Sequence, residues 1–167
     1  MEITSIESFL PYYKNIRERT MRVARVIPPA MIEWTYAPGK FTLGDLLRHI
    51  ATIERHLWVE ILQGKPNRYR GCGRELADGY QNVIAYVERL HQGSIEIISR
   101  LTPEDLQKKS ITPDGSPIST WKVLRLMVEH EIHHRGEIYI YLGMLGVKTP
   151  PLYGMTSEQV MDRAAKA

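Results

Sequence analysis

The segment "HEIHHRGE", residues 130–137, gathers three of the chain's six histidines and two carboxylates. His130, Glu131 and His134 satisfy the H-E-x-x-H spacing of zinc peptidases, where two imidazoles hold a metal and the glutamate acts as general base. With a helical rotation of about 100° per residue, His134 lies about 40° from His130 and Glu137 about 20° to the other side. Val123, Leu126 and Met127 fall within about 60° of the same direction. His130, His134 and Glu137 are therefore expected on the apolar stripe, facing the interior, with His133 at its edge. A single histidine there is ordinarily a core residue bonded to a neighbour. Two at i, i+4, with a carboxylate one turn further, favour a metal, because burying several polar groups is costly unless something satisfies them.

A two-histidine site needs a further ligand. His49, in "LGDLLRHIATIERH", shares a face with Leu46, Ile50 and Ile53. His56 follows seven residues later on the same face, about 10.5 Å along the helix. Only one of the two can meet the same metal. His91 sits among polar neighbours and is expected at the surface, and Glu54 and Glu60 read as solvated. The peptidase reading fares poorly. It wants a downstream ligand, and Glu158 lies in the tail beyond a loop. Nor does the chain offer a strand on which to pair an extended peptide. Glu131 is then expected to face solvent or a neighbouring helix. Arg48 and Arg135, about 100° from their histidine neighbours, are expected to reach solvent or another helix. Cys72, in a Gly-rich loop, has no cysteine or histidine partner nearby in sequence.

The elements that must position these residues are long amphipathic helices. Thr4-x-x-Glu7 has the capping-box pattern and opens a first helix that runs to about Ile27, with Pro11 as a possible kink. Thr42-x-x-Asp45 opens a second, whose leucines and isoleucines keep helical period through Ile61. A third covers roughly Glu75–Leu101, with Gly93 weakening it without stopping it. After the polar stretch "TPEDLQKKSITPDGSPIS", with a turn at Pro113-Asp114-Gly115, Ser119 or Thr120 caps a fourth helix running to about Gly146. Thr156-x-x-Gln159 caps a short terminal helix. Period-2 runs are too short for strands. The chain reads as an all-α, antiparallel four-helix bundle with a short extra C-terminal helix, one domain over residues 1–167. Trp34, Trp121, Tyr139, Tyr141 and Tyr153 are expected in the core.

A formal charge of +3 and the lack of a dense basic run argue against nucleic acid as partner. No stretch approaches 18 apolar residues, which argues against a membrane span. The start lacks the basic, apolar pattern of a signal peptide, and Cys72 is the one cysteine, so a cytoplasmic location is expected.

"FTLGDLLRHI", followed some eighty residues later by "MVEHEIHHRGEIYIYLGMLGV" and then "PPLYG", resembles the DinB/YfiT-like superfamily. The resemblance implies a four-helix bundle that binds one divalent metal ion per chain through His49, His130 and His134, leaving His56 and His133 as non-ligands. Glu137 stands where the family often has Gln and is expected close to the metal without ligating it. Zinc and nickel lead as the metal, with iron and copper as further candidates. Characterised members imply an enzyme in which the metal activates a small-molecule thiol such as bacillithiol, mycothiol or glutathione, with water as the other nucleophile. A metal-binding stress-response protein without turnover is the alternative. The resemblance also implies a homodimer.

Overall fold

The computed structural model describes residues 2–166. Helix α1 spans Ile6–Ala24 and α2 spans Leu43–Ile53. A π-helical turn, Glu54–Trp58, leads from α2 into the single turn α3, Val59–Leu62. Then come α4 (Tyr80–Ile98), α5 (Pro103–Gln107), strands β1 (Lys109–Ile111) and β2 (Pro117–Ser119), α6 (Thr120–Met144) and α7 (Ser157–Ala164). Helices α1, α2–α3, α4 and α6 form the four-helix bundle, in which α2 packs on α4 and α6, and α1 packs on α6.

The caps explain most boundaries. Thr42 and Asp45 form the expected capping box, as do Thr156 and Gln159. The α1 cap is Ser5 rather than Thr4, its hydroxyl accepting from the Ser8 amide at 3.3 Å. Pro11 lies inside α1 on its exposed face, and the helix continues through it. Helix α4 begins at Tyr80, five residues later than expected, after a 3-10 turn at Arg74–Leu76. Gly146 takes φ 68°, which lets Val147 N–H return to Leu142 O at 2.9 Å and closes α6.

The polar stretch before α6 holds structure that helical periodicity cannot signal. Thr102 and Asp105 cap α5, and β1 and β2 pair antiparallel with Ser110 opposite Ile118. Strands of three residues are too short to show alternation.

The apolar interior falls into two clusters. One contains Met21, Leu43, Leu46, Leu47, Val83, Val87, Ile138 and Leu142, and the other Phe9, Tyr13, Ile16, Val59, Ile98, Leu124 and Met127. Between them, in the order of residues along each helix, come Arg17 on α1, Glu54 at the head of the π turn, His91 on α4 and Glu131 on α6. Their charges meet in the bundle interior. Arg17 Nη2 pairs with Glu54 and, at 3.0 Å, with Glu131. The Tyr13 hydroxyl donates to Glu54 at 2.7 Å, and His91 Nδ1 stands 3.0 Å from the same carboxylate.

This layer corrects several expectations. Glu54 is buried rather than solvated, because Arg17, Tyr13 and His91 share its carboxylate. Glu60 is also buried, gripped by Arg55 at 2.6 Å and by Arg68. His91 is half-buried against Glu54 instead of exposed. Glu131 faces a neighbouring helix, as expected, and is buried against Arg17 of α1. Arg135 reaches another helix, as expected, where it is buried and donates to Ile16 O of α1 at 3.2 Å. Arg48 reaches neither solvent nor another helix. It is fully buried, paired with Glu33 and Asp45, and bonded to the carbonyls of Cys72 and Ala77. Tyr141 is buried and Trp34 packs edge-on to it, whereas Tyr153 is 77% exposed in the loop after α6, with Arg19 over its ring.

Candidate metal centre

Helix α2 carries His49 toward α6, where His130 and His134 stand one turn apart. His49 Nε2 and His130 Nε2 are 3.1 Å apart, although 81 residues separate them in sequence. The ring centroids lie 4.9 Å (His49–His130), 4.6 Å (His49–His134) and 4.4 Å (His130–His134) from one another. One nitrogen from each ring falls within 4.8 Å of the others, a spacing that suits three ligands of a single ion. Glu137 accepts from His134 Nδ1 at 2.5 Å, which leaves the far nitrogen of that ring for a ligand.

His133 lies on the outer side. It is 68% exposed, and its Nε2 is 3.8 Å from Glu137. With His134 and Glu137 it makes a second, more open group of possible ligands. His56 joins neither group. The π turn alters the register of the helix after His49, as the Val59 N–H bonds back to Glu54 O, five residues earlier.

The three histidines sit at the flank of the core, half-buried, rather than on its deepest stripe. That stripe on α6 is Leu124, Val128, Glu131, Arg135, Ile138 and Leu142, centred about 120° round the helix from His130. The placement leaves one side of the cluster toward solvent. Phe41 packs beside His49, with ring centroids 5.3 Å apart.

Tyr69 is the contact that the sequence did not signal. Its hydroxyl lies 3.0 Å from His49 Nδ1, and it comes from the loop between α3 and α4. Burial, with the Cys72 thiol beside it, raises this phenol to about 12. Burial likewise pushes up the Cys72 thiol.

Burial, and then the neighbouring His134, lowers His49 to about 4. Burial, followed by His134 and His49, lowers His130 to about 3. Both rings are neutral at pH 7, as metal ligands must be. Three convergent imidazoles with an outer carboxylate fit a divalent metal ion. Because both folded-state values lie below the ordinary 6.5, the unfolded chain binds more protons than the folded one as pH falls below that value. The stability gained from keeping these rings neutral is complete above about 6.5 and is lost as pH falls through about 4 and then about 3. Thermal melting of the metal-free protein should therefore decline from pH 6.5 to 4.5, and His130→Gln should flatten that slope. An equal slope in the variant would refute the assignment.

The chain matches the DinB superfamily over residues 12–138. It belongs to that family. The uncharacterised protein YjoA of Bacillus subtilis is 27% identical over 127 residues, covering 72% of this chain and 79% of YjoA. The crystal structure of YfiT from Bacillus subtilis, described as a probable metal-dependent hydrolase with an unusual four-helix bundle topology, aligns with a TM-score of 0.68. The identity is 16%, covering 89% of this chain and 93% of YfiT. A mycothiol-dependent maleylpyruvate isomerase aligns with a TM-score of 0.53 at 17% identity, over 80% of this chain and 60% of the isomerase. These structural likenesses establish the bundle fold. Among the described residues, no helix is long and apolar enough to cross a membrane.

Proposed function

We propose that this DinB-family protein binds one divalent metal ion, zinc or nickel, through His49, His130 and His134, and uses it to activate a small-molecule thiol for transfer to an electrophile. The observation that carries this reading is the convergence of three half-buried imidazoles at the edge of the bundle, open on one side. When bound, such an ion acts as a Lewis acid toward a thiol or water in its open position. Three imidazoles contribute no charge, and Glu137 orients His134 from outside the cluster. An ion held there keeps net positive charge and favours an anionic partner, such as a thiolate. Phe41 and Tyr69 flank His49 and offer an apolar rim to the substrate. The thiol reading also draws support from the shared fold of the mycothiol-dependent isomerase. Water as nucleophile is the second reading, favoured by the hydrolase description of YfiT. A second copy of the chain is proposed as its protein partner.

A cobalt-substituted sample separates these readings. Bacillithiol, mycothiol or glutathione should change the visible spectrum, because sulfur gives the ion a different ligand field. A spectrum indifferent to all three thiols, with cobalt still bound, would eliminate thiol ligation and leave water. Failure of the wild-type protein to hold any divalent ion would sink both.

A further inference from the structure

Tyr69 lies in the loop between α3 and α4, and the hydrogen bonds around it are those of a held segment. Just before it, the Arg68 N–H donates to His56 O at 2.9 Å, and the Arg68 guanidinium pairs with the buried Glu60. The Tyr69 N–H itself donates to Asn67 Oδ1 at 2.7 Å. Just after it, the buried Arg48 donates from Nε to Cys72 O at 2.8 Å. These anchors come from both sides, and Arg48 precedes His49 on α2. The hydroxyl is thereby set 3.0 Å from His49 Nδ1, with the rings edge to face at 5.7 Å.

We propose that Tyr69 is a positioning residue of the metal centre: its hydroxyl oxygen accepts the His49 Nδ1 proton and so commits Nε2 of that ring to the ligand position. The proposal rests on the metal-centre reading above. A metal-ligating imidazole commonly donates its second ring N–H to an acceptor that fixes its orientation. His134 has Glu137 for this purpose, and His49 has Tyr69. The alternative polarity, with Tyr69 donating to Nδ1, would put the proton on His49 Nε2 and block ligation. With the proton of His49 on Nδ1, the Tyr69 hydroxyl oxygen accepts it at 3.0 Å and Nε2 keeps its lone pair for the ion. A tyrosine acceptor is neutral. It orients the ring without lowering the positive charge of a bound ion, as a carboxylate partner would.

The test uses the full chain with zinc or nickel and a competing chromophoric chelator. Tyr69→Phe keeps the ring and removes the acceptor. It should bind the ion roughly 10–100-fold more weakly than wild type, the range for loss of an outer partner of a histidine ligand. The melting temperature of the metal-free variant should match that of wild type, since only a hydroxyl in a half-buried loop is lost. Nitrogen-15 spectra of the metal-free wild-type protein should show His49 protonated at Nδ1. Unchanged affinity in Tyr69→Phe, or a His49 ring protonated at Nε2 in the wild type, would overturn the proposal. Wild-type protein that binds no ion would overturn the metal-centre reading itself, an outcome distinct from wild type and Tyr69→Phe binding equally.

Discussion

His130→Ala should purify nearly free of metal, whereas wild-type protein should carry about one divalent ion per chain. The reason is geometric. His130 Nε2 stands 3.1 Å from His49 Nε2, and its half-buried ring converges with those of His49 and His134. Loss of a ligand should weaken binding by more than the roughly 10–100-fold that loss of an outer hydrogen-bond partner costs. His49→Ala and His134→Ala should behave alike, and Glu137→Gln should show the smaller effect. His56→Ala and His133→Ala should retain the ion, because His56 joins no ligand cluster and His133 is exposed on the outer side, against Glu137 and the ring of His134. Elemental analysis of the purified variants decides it. Full occupancy in His130→Ala would reject the site, and loss of metal in His133→Ala would shift it outward to the group made by His133, His134 and Glu137.

Arg17→Met should destabilise the fold by about 3–5 kcal/mol, the cost of leaving buried charge without its partner. Arg17 faces two carboxylates, and all three side chains are at least nine-tenths buried. Burial pulls the guanidinium toward neutrality, but Glu131 and Glu54 outweigh it and raise its pKa. Burial pushes Glu54 up, and Arg17 and His91 overcome this and bring it down to about 2. A carboxylate below its ordinary value contributes stability above about 4.5 that is lost as pH falls through about 2. Without Arg17 the sign reverses. Burial would then dominate and raise the carboxyls, so acidification from neutral pH should narrow the deficit of the variant. The pairing is also imperfect. Arg17 Nε and Nη1 and both oxygens of Glu131 lack aligned hydrogen-bond partners, so the contact with Glu131 is charge without good directionality. Adding Glu54→Gln and Glu131→Gln to Arg17→Met should recover part of the loss, since neutral groups cost less to bury. Urea unfolding measures each variant, and a change below about 1 kcal/mol for Arg17→Met would show that the layer is solvated.

The helices and their caps were legible because both are local. Thr42 with Asp45, and Thr156 with Gln159, satisfy backbone groups three residues away, and such pairs mark a helix start whatever lies across the core. The kinship of His130, His134 and Glu137 was legible for the same reason, as rotation per residue places them on one face. What local periodicity does not report is how deep that face lies. On α6 Val123 and Met127 of the apolar stripe are buried, but the buried side also takes in Glu131 and Arg135, while Ile132, Ile140 and Met144 are exposed, so apolar spacing alone did not mark the full core direction. Charges enter an interior only when a partner compensates them, and those partners are remote. Arg17 and Glu54 are 37 residues apart, and Arg135 bonds to a carbonyl 119 residues earlier. The π turn belongs with them, since no residue in "ERHLW" announces a bond from Val59 back to Glu54. Tyr69 is the clearest case. In sequence it is one aromatic in a polar, Gly-rich loop, and it becomes part of the site only because Arg48 and the π turn's His56 carbonyl hold that loop against His49. Helical spacing could nominate the histidines, but the tyrosine set beside one of them, and the charge layer that lies between the two apolar clusters, depend on contacts that exist only after the chain has folded.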